Sequence, residues 1–268
     1  YPAVSPPYPT GPAYPSGPAY PSGPAYPSGP AYPSAPSYGH PPAPGWYPPP
    51  LELRRNNRTA AALAQVALAL TVVSQIVRIT AVLGQRRALS NLVDGSGTLS
   101  EVSHADHVAR VSAVLLVVGI LLTAVFFIVW LWRMRRDADI FHPELQQRGR
   151  GWVIGGWFIP FANFVIPYLV IKDIVAALTT PPSRHEEHRR MPAIVKLWWG
   201  LWILSAIGDR VLLSNNPTDP SSFDTYTTIE IAGATLSIVT ALLAIAVVGR
   251  LTQASAAQWE RTSWPLSR

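Results

Sequence analysis

Beyond residue 51 the chain neither alternates apolar and polar positions nor confines its apolar residues to one helical face; it gathers them into long runs. Thr59 to Leu83 is apolar apart from Arg78 near its end, and the 22 residues from Val111 to Trp132 carry no charge. Pro192 to Leu213 opens on a helix-compatible proline, and Thr227 to Gly249 has Glu230 close to its start. A helix rises about 1.5 Å per residue and the hydrocarbon core of a bilayer is roughly 30 Å thick, so about 20 largely apolar residues are enough to cross. The pattern predicts four transmembrane helices, over residues 59–83, 111–132, 192–213 and 227–249.

A fifth apolar stretch, Trp152 to Ile171, is long enough to cross but contains Gly155, Gly156, Pro160, Asn163 and Pro167. Irregular backbone at membrane depth persists only where protein or a wet cavity satisfies its polar groups. The expectation is therefore a re-entrant or interfacial segment over residues 152–178, its last part a short amphipathic helix from Tyr168 to Leu178 with Lys172 and Asp173 facing out. A kinked fifth span is the alternative.

Charge placement argues for the first of these. Lys and Arg favour the cytoplasmic side, and both flanks of the broken stretch are basic, with Arg133, Arg135, Arg136, Arg148 and Arg150 before it and Lys172, Arg184, Arg189, Arg190 and Lys196 in and after it. The connection from Ser214 to Tyr226 contains only Asp219 and Asp224, so it is expected outside and both chain ends inside. Arg86 and Arg87, which fall on the outer side in this arrangement, are the dissenting residues.

Composition divides the chain. Residues 1–50 hold 19 of the 28 prolines and 8 of the 10 tyrosines and no Lys, Arg, Asp or Glu, so the formal charge of +6 belongs to the remainder. A tyrosine recurs every six residues from Tyr8 to Tyr38 inside a Ser-Gly-Pro-Ala-Tyr-Pro unit. Proline removes a backbone donor and holds its neighbour extended, so the repeat reads as a disordered, partly polyproline-like tail. Evenly spaced rings would give weak multivalent contacts to an unknown protein partner; a simple spacer accounts for the same pattern. The expected organisation is a tail over 1–50, a membrane domain over 51–254 and a short cytoplasmic tail over 255–268.

The absence of cysteine excludes disulfides, thiolate metal sites and cysteine nucleophiles. Arginines flank apolar runs instead of lining one polar face, which points to the bilayer and away from nucleic acid. No basic stretch followed by a short apolar core and a cleavage site opens the sequence, and it begins at Tyr1, so the natural N-terminus is expected upstream.

The run from Gly151 to Asn163, with Trp152, Gly155, Gly156, Trp157, Phe158, Pro160 and Phe161, followed by Pro167-Tyr168, resembles the hallmark of a family of bacterial polytopic membrane proteins known as domain of unknown function 4328. Trp130 with Arg133 and Arg136, and the block Leu197-Trp198-Trp199-Gly200-Leu201-Trp202, resemble two further blocks of that family. The resemblance covers about residues 55–255. Here Ile166 stands where a basic residue often precedes Pro-Tyr, and Asp137 where Asn is common. The resemblance implies a membrane location and no established activity; the bacterial cytoplasmic membrane is the expected place.

Tryptophans gather toward the inner half of the predicted spans. Trp152, Trp157, Trp198 and Trp199 are expected to pack around Pro160 and Asn163, making a pocket ringed by Arg133, Arg136 and Arg150 that would suit an anionic lipid headgroup or a partner peptide. An anchoring belt plus orienting charge explains the same residues. The Asn163 amide is expected to bond carbonyls freed by Pro160 and Pro167. Near the outer helix ends Arg78, Asp209, Arg210 and Glu230 are expected to form an ion-pair cluster, with snorkelling as the alternative. His185 and His188 are spaced i, i+3 among arginines, unlike a helical zinc motif, and His104, Asp106 and His107 offer too few ligands for a closed site, so neither a metal nor a cofactor is expected.

The sequence thus predicts an all-α integral membrane protein with four transmembrane helices, one Pro/Gly-broken segment and a disordered tail. Its expected role is a non-enzymatic interaction or scaffold module; a small transporter, channel or lipid-handling protein using the broken segment is the alternative.

Overall fold

The computed structural model describes residues 56–179, 191–214 and 220–263. The predicted proline and tyrosine tail, the His185–His188 loop and Trp264 lie outside these residues. Among the described residues all regular structure is helical: α1 (Arg58–Val93), α2 (Leu99–Phe141), α3 (Trp152–Gly155), α4 (Ile166–Thr179), α5 (Ala193–Ser214) and α6 (Pro220–Ser263), with single 3-10 turns at Pro143–Leu145 and Ala162–Phe164.

Among the described residues three helices, α1, α2 and α6, are long and apolar enough to cross a membrane. The predicted count of four is corrected here, because the stretch 192–213 falls on α5, which is not among them. Lys196 near its start and Asp209 and Arg210 near its end leave 12 uncharged residues between them. Those charges set α5 apart from the other three, and its length does not: 22 residues rise about 33 Å, enough for a core of roughly 30 Å.

The long helices outrun their apolar cores. α1 has 36 residues, α2 43 and α6 44, because good helix formers such as Gln, Arg, Ala and Leu continue the ladder past each run. Residues 84–110, expected to contain an outer loop, are therefore helical apart from the turn at 94–98. In that turn the Asn91 carbonyl accepts from Ser96 N at 2.9 Å and Gly97 N at 2.8 Å, and Gly95 adopts a φ of +73° that glycine takes without steric cost. Thr98 and Glu101 then close a reciprocal capping box that starts α2.

α1 packs against α2 and α6, α5 against α6, and α4 against α2. Small residues set the spacing. A Cβ on Gly119 would lie 3.3 Å from Thr71 Oγ1, and the Thr71 and Thr123 hydroxyls meet at 2.9 Å. Gln65 Nε2 donates to the Ile245 carbonyl at 3.1 Å, joining α1 to α6. Close backbone approach with hydroxyl and amide bridges is how helices associate where no hydrophobic force separates them from their surroundings.

The buried core sits at one end, where the start of α1, the end of α2, α4, the start of α5 and the last half of α6 meet around Trp130, Met134, Phe141, Ile174, Trp198 and Val248. The middles of α1 and α2 carry exposed large apolar residues, among them Val66, Val73, Val114, Val117, Leu121 and Val125.

The broken segment folds back on itself. α3 lasts four residues, and a Cβ on Gly156 would lie 2.8 Å from both Ile166 Cγ2 and the Trp152 carbonyl oxygen. Phe161 has a φ of +64°, and Ala162 N donates to the Pro160 carbonyl at 2.8 Å, closing a tight turn around it. Phe158 and Phe161 are 74% and 84% exposed at this apex. In α4 Lys172 is exposed as expected, but Asp173 is buried, not outward-facing. An Arg148 ion pair at 3.0 Å is the reason: a paired carboxylate is buried at far lower cost than a lone one.

Candidate functional site

The broken segment brings three of the four predicted site tryptophans together. Trp157, Trp198 and Trp199 join Phe127, Phe164, Tyr168 and Trp202 in a chain of ring contacts, with centroids from 4.8 Å for the stacked Trp199 and Trp202 to 6.1 Å for the edge-on Trp157 and Trp199. Ring-to-ring contact, favoured by offset and edge-to-face geometry, is what unites them. Trp152 and Pro160 instead lie at the surface.

Hydrogen-bond accounting in this cluster leaves two gaps. Trp199 Nε1 donates to the Phe164 carbonyl at 3.2 Å, but the buried Trp157 Nε1 and Asn163 Oδ1 have no partner. Among the described residues Asn163 makes no bond to the carbonyls freed by Pro160 and Pro167.

The predicted arginine ring is divided. Arg150 donates to Asp139 at 2.7 Å. Arg133 and Arg136 are half-buried, and no hydrogen bond or ion pair to either is made among the described residues. Between them Arg135, which sequence reasoning did not single out, is buried. It pairs with Asp139 one turn later at 3.0 Å and also contacts Gln146 Oε1 and the Arg148 carbonyl. Arg148 completes the network on Asp173, whose carbonyl accepts from Gln146 Nε2 at 3.1 Å. The loop after α2 is thereby stapled to α2 and α4. The i, i+4 spacing of Arg135 and Asp139 is the one part of this visible in the sequence.

Asp137 is buried and bonded to three side chains. Its Oδ2 accepts from Asn57 Nδ2 at 2.7 Å, Ser255 Oγ at 2.6 Å and Trp259 Nε1 at 3.2 Å. One carboxylate oxygen ties the start of α1 and the end of α6 to α2. Trp130 Nε1 reinforces the same junction by donating to Thr252 Oγ1 at 3.0 Å.

At the far end half of the predicted ion cluster forms. Arg78 binds Glu230 through Nη2 at 2.5 Å and Nε at 2.7 Å, and its Nη1 donates to the Ala109 carbonyl at 2.9 Å, linking α1, α6 and α2. Asp209 and Arg210 are exposed, and among the described residues no ion pair joins them to that cluster. Gln85 donates to Asp106 at 2.6 Å and Arg86 pairs with Asp224 at 2.9 Å, so the polar ladder follows α1 outward. Among the described residues no group of three or more acidic or histidine ligands could hold a metal ion.

Comparison with known proteins adds one relationship. No curated protein and no solved structure matches the chain. Residues 93–253 match the family described as Domain of unknown function (DUF4328). The match is narrower than the resemblance read from the sequence, since it begins where α1 ends, but it takes in the broken segment and all three tryptophan and arginine blocks. The chain therefore belongs to the DUF4328 family.

Proposed function

We propose that the protein is an integral protein of the bacterial cytoplasmic membrane, spanned by α1, α2 and α6, with the less apolar α5 carrying the chain back between the two faces along α6, and that it works as a non-enzymatic interaction module whose proline and tyrosine tail recruits partners in the cytoplasm. The supporting observation is the exposure of large apolar side chains along α2, including Val114, Val117, Val118, Leu121 and Val125. Soluble monomers rarely leave contiguous apolar patches beyond a few hundred Å², whereas acyl chains cover such a surface without cost. Polar groups gather at the two ends of the bundle, as interfaces require. The self-paired charges at the Asp137 end suit a fixed platform, and the repeated tyrosines suit multivalent capture. Resistance of the expressed full chain to carbonate extraction tests the membrane part; release into the supernatant would refute it. Cross-linking of the full chain and of a chain lacking residues 1–50 tests recruitment, which fails if both capture the same proteins.

A lipid-handling role through the broken segment is the second reading. It is favoured by the buried, unpartnered Trp157 Nε1 and Asn163 Oδ1, since lone polar atoms at depth offer a permeating or bound group one donor and one acceptor. Lipid scrambling in proteoliposomes that disappears in Asn163→Leu would support it; no scrambling by the native chain would end it.

A further inference from the structure

Asp209 and Arg210 are neighbours near the end of α5, and both are exposed. Among the described residues neither side chain has an ion-pair or hydrogen-bond partner. Nor do they answer each other, because consecutive residues on a helix do not face one another.

Their depth follows from a contact in the middle of the bundle. Ser205 Oγ of α5 lies 3.4 Å from Thr240 Oγ1 of α6, and Thr240 stands near the centre of the apolar run Thr227–Gly249. Four and five residues further on, Asp209 and Arg210 are about 6 and 7.5 Å along the helix axis from that level, whereas half a hydrocarbon core is about 15 Å. In the membrane arrangement proposed above, on which this inference rests, both charges therefore lie within the apolar layer. Arg210 can carry its head toward the interface on a long stem. The short Asp209 side chain cannot, and an ionisable group at such depth ordinarily pairs with another or faces a protein interior.

α5 has room for a partner on the side that carries these residues. The broken segment covers its first half, with the last ring contacts at Trp202. Beyond that point Ile203, Ala206 and Arg210 recur at i, i+3 and i+7, the spacing of a helix–helix seam. Ile203 and Ala206 are half-buried and Arg210 is exposed. Ala206, at the centre, is small enough for two backbones to approach closely.

The charges name the occupant. A surface holding one acid and one base side by side is complemented by the same surface turned about a two-fold axis. Two copies inserted in the same direction would pair their α5 helices in parallel. A side chain in such a seam enters a hole between four residues of the facing helix, among them the one before its own counterpart. For Arg210 that residue is Asp209 of the second copy. We propose that the protein forms a dimer through the outer half of α5, closed within the membrane by two reciprocal ion pairs between Arg210 and Asp209.

The test uses the full chain, whose lack of cysteine lets a single Ala206→Cys report contact between copies. In proteoliposomes at low protein-to-lipid ratio, oxidation should give a disulfide-linked dimer from Ala206→Cys and none from Leu121→Cys, on the exposed middle of α2. With Ala206→Cys in place, Asp209→Arg and Arg210→Asp should each lower the cross-linked fraction at least about tenfold, since like charges opposed across an interface weaken association by that factor or more. The double variant Asp209→Arg/Arg210→Asp should restore it. So should mixing the two single reversals, which sets two arginines on one copy against two aspartates on the other. A variant that merely misfolds is rescued by neither. No cross-link in the chain with native charges, equal cross-linking at Leu121→Cys, an undiminished dimer in either reversal, or a loss that neither rescue repairs would overturn the proposal. Carbonate extraction of the same vesicles keeps the readings apart: a chain that stays in the membrane but fails these tests loses only the dimer.

Discussion

Asp137 and Glu230 are both acidic and both tie helices together, but they were not equally legible. Glu230 lies at the same depth as Arg78 in neighbouring runs, so depth alone pairs them. The partners of Asp137 stand 80, 118 and 122 residues away, and no local pattern announces them. Asp209 and Arg210 share the depth of Arg78 but not its face, which hydropathy cannot report. Asp137→Ala would remove the acceptor that three buried donors share, and a lost buried hydrogen bond costs about 1–3 kcal/mol, so a large loss of thermal stability in detergent is expected. Asp137→Asn retains an accepting oxygen, and its loss should be clearly smaller, in line with the Asn that the family resemblance implies there. Glu230→Gln should lower stability by about 1–3 kcal/mol through its charge-assisted bonds. Glu101→Gln should be nearly silent, because Gln serves a capping box as well as Glu does. Equal melting shifts for the two would show that the Arg78 pair contributes nothing beyond the cap.

For the helices and turns, the apolar runs located α1, α2 and α6 but not their ends, since a helix stops at a cap or a breaker and not where hydropathy falls. Thr98 and Glu101 are readable as such a cap, whereas the left-handed Phe161 is not, because its conformation is imposed by the segment folding back between Gly156 and Ile166. That fold-back gives a paired test. Gly156→Ala places a methyl 2.8 Å from the Trp152 carbonyl oxygen and Ile166 Cγ2, while Gly155→Ala meets nothing within 4 Å. The first should destabilise the protein by about 1–3 kcal/mol, the usual cost of overpacking, and the second should be neutral. Matching melting temperatures would mean that the segment can open without loss. The apex can be located with spin labels at Phe158→Cys and Phe161→Cys in the cysteine-free chain: contact with dissolved oxygen but not with a nickel chelate is expected for a tip in lipid, and the reverse would put it in water.

Across the bundle, the start of α1 meets the end of α6 at Asp137 and the middle of α1 meets the start of α6 at Glu230, so the two helices run antiparallel. Cysteines introduced as Ser183→Cys and Ser222→Cys should then react with an impermeant maleimide from opposite sides of the membrane; labelling from one side would refute the proposed arrangement. The ion pairs beside the broken segment bear on how that arrangement is kept. In the proposed arrangement the arginines around positions 133–150 would orient a nascent chain as bare charges, because acidic neighbours weigh little at that stage. Once the chain has folded, Arg135 and Arg150 share Asp139 and Arg148 pairs with Asp173, so two of these three positive charges are offset. A signal that would choose the direction of insertion is thus afterwards tied into structure. The finished protein thus presents a weaker field to the leaflet than its sequence suggests, and reversing its orientation would require unmaking its folded end.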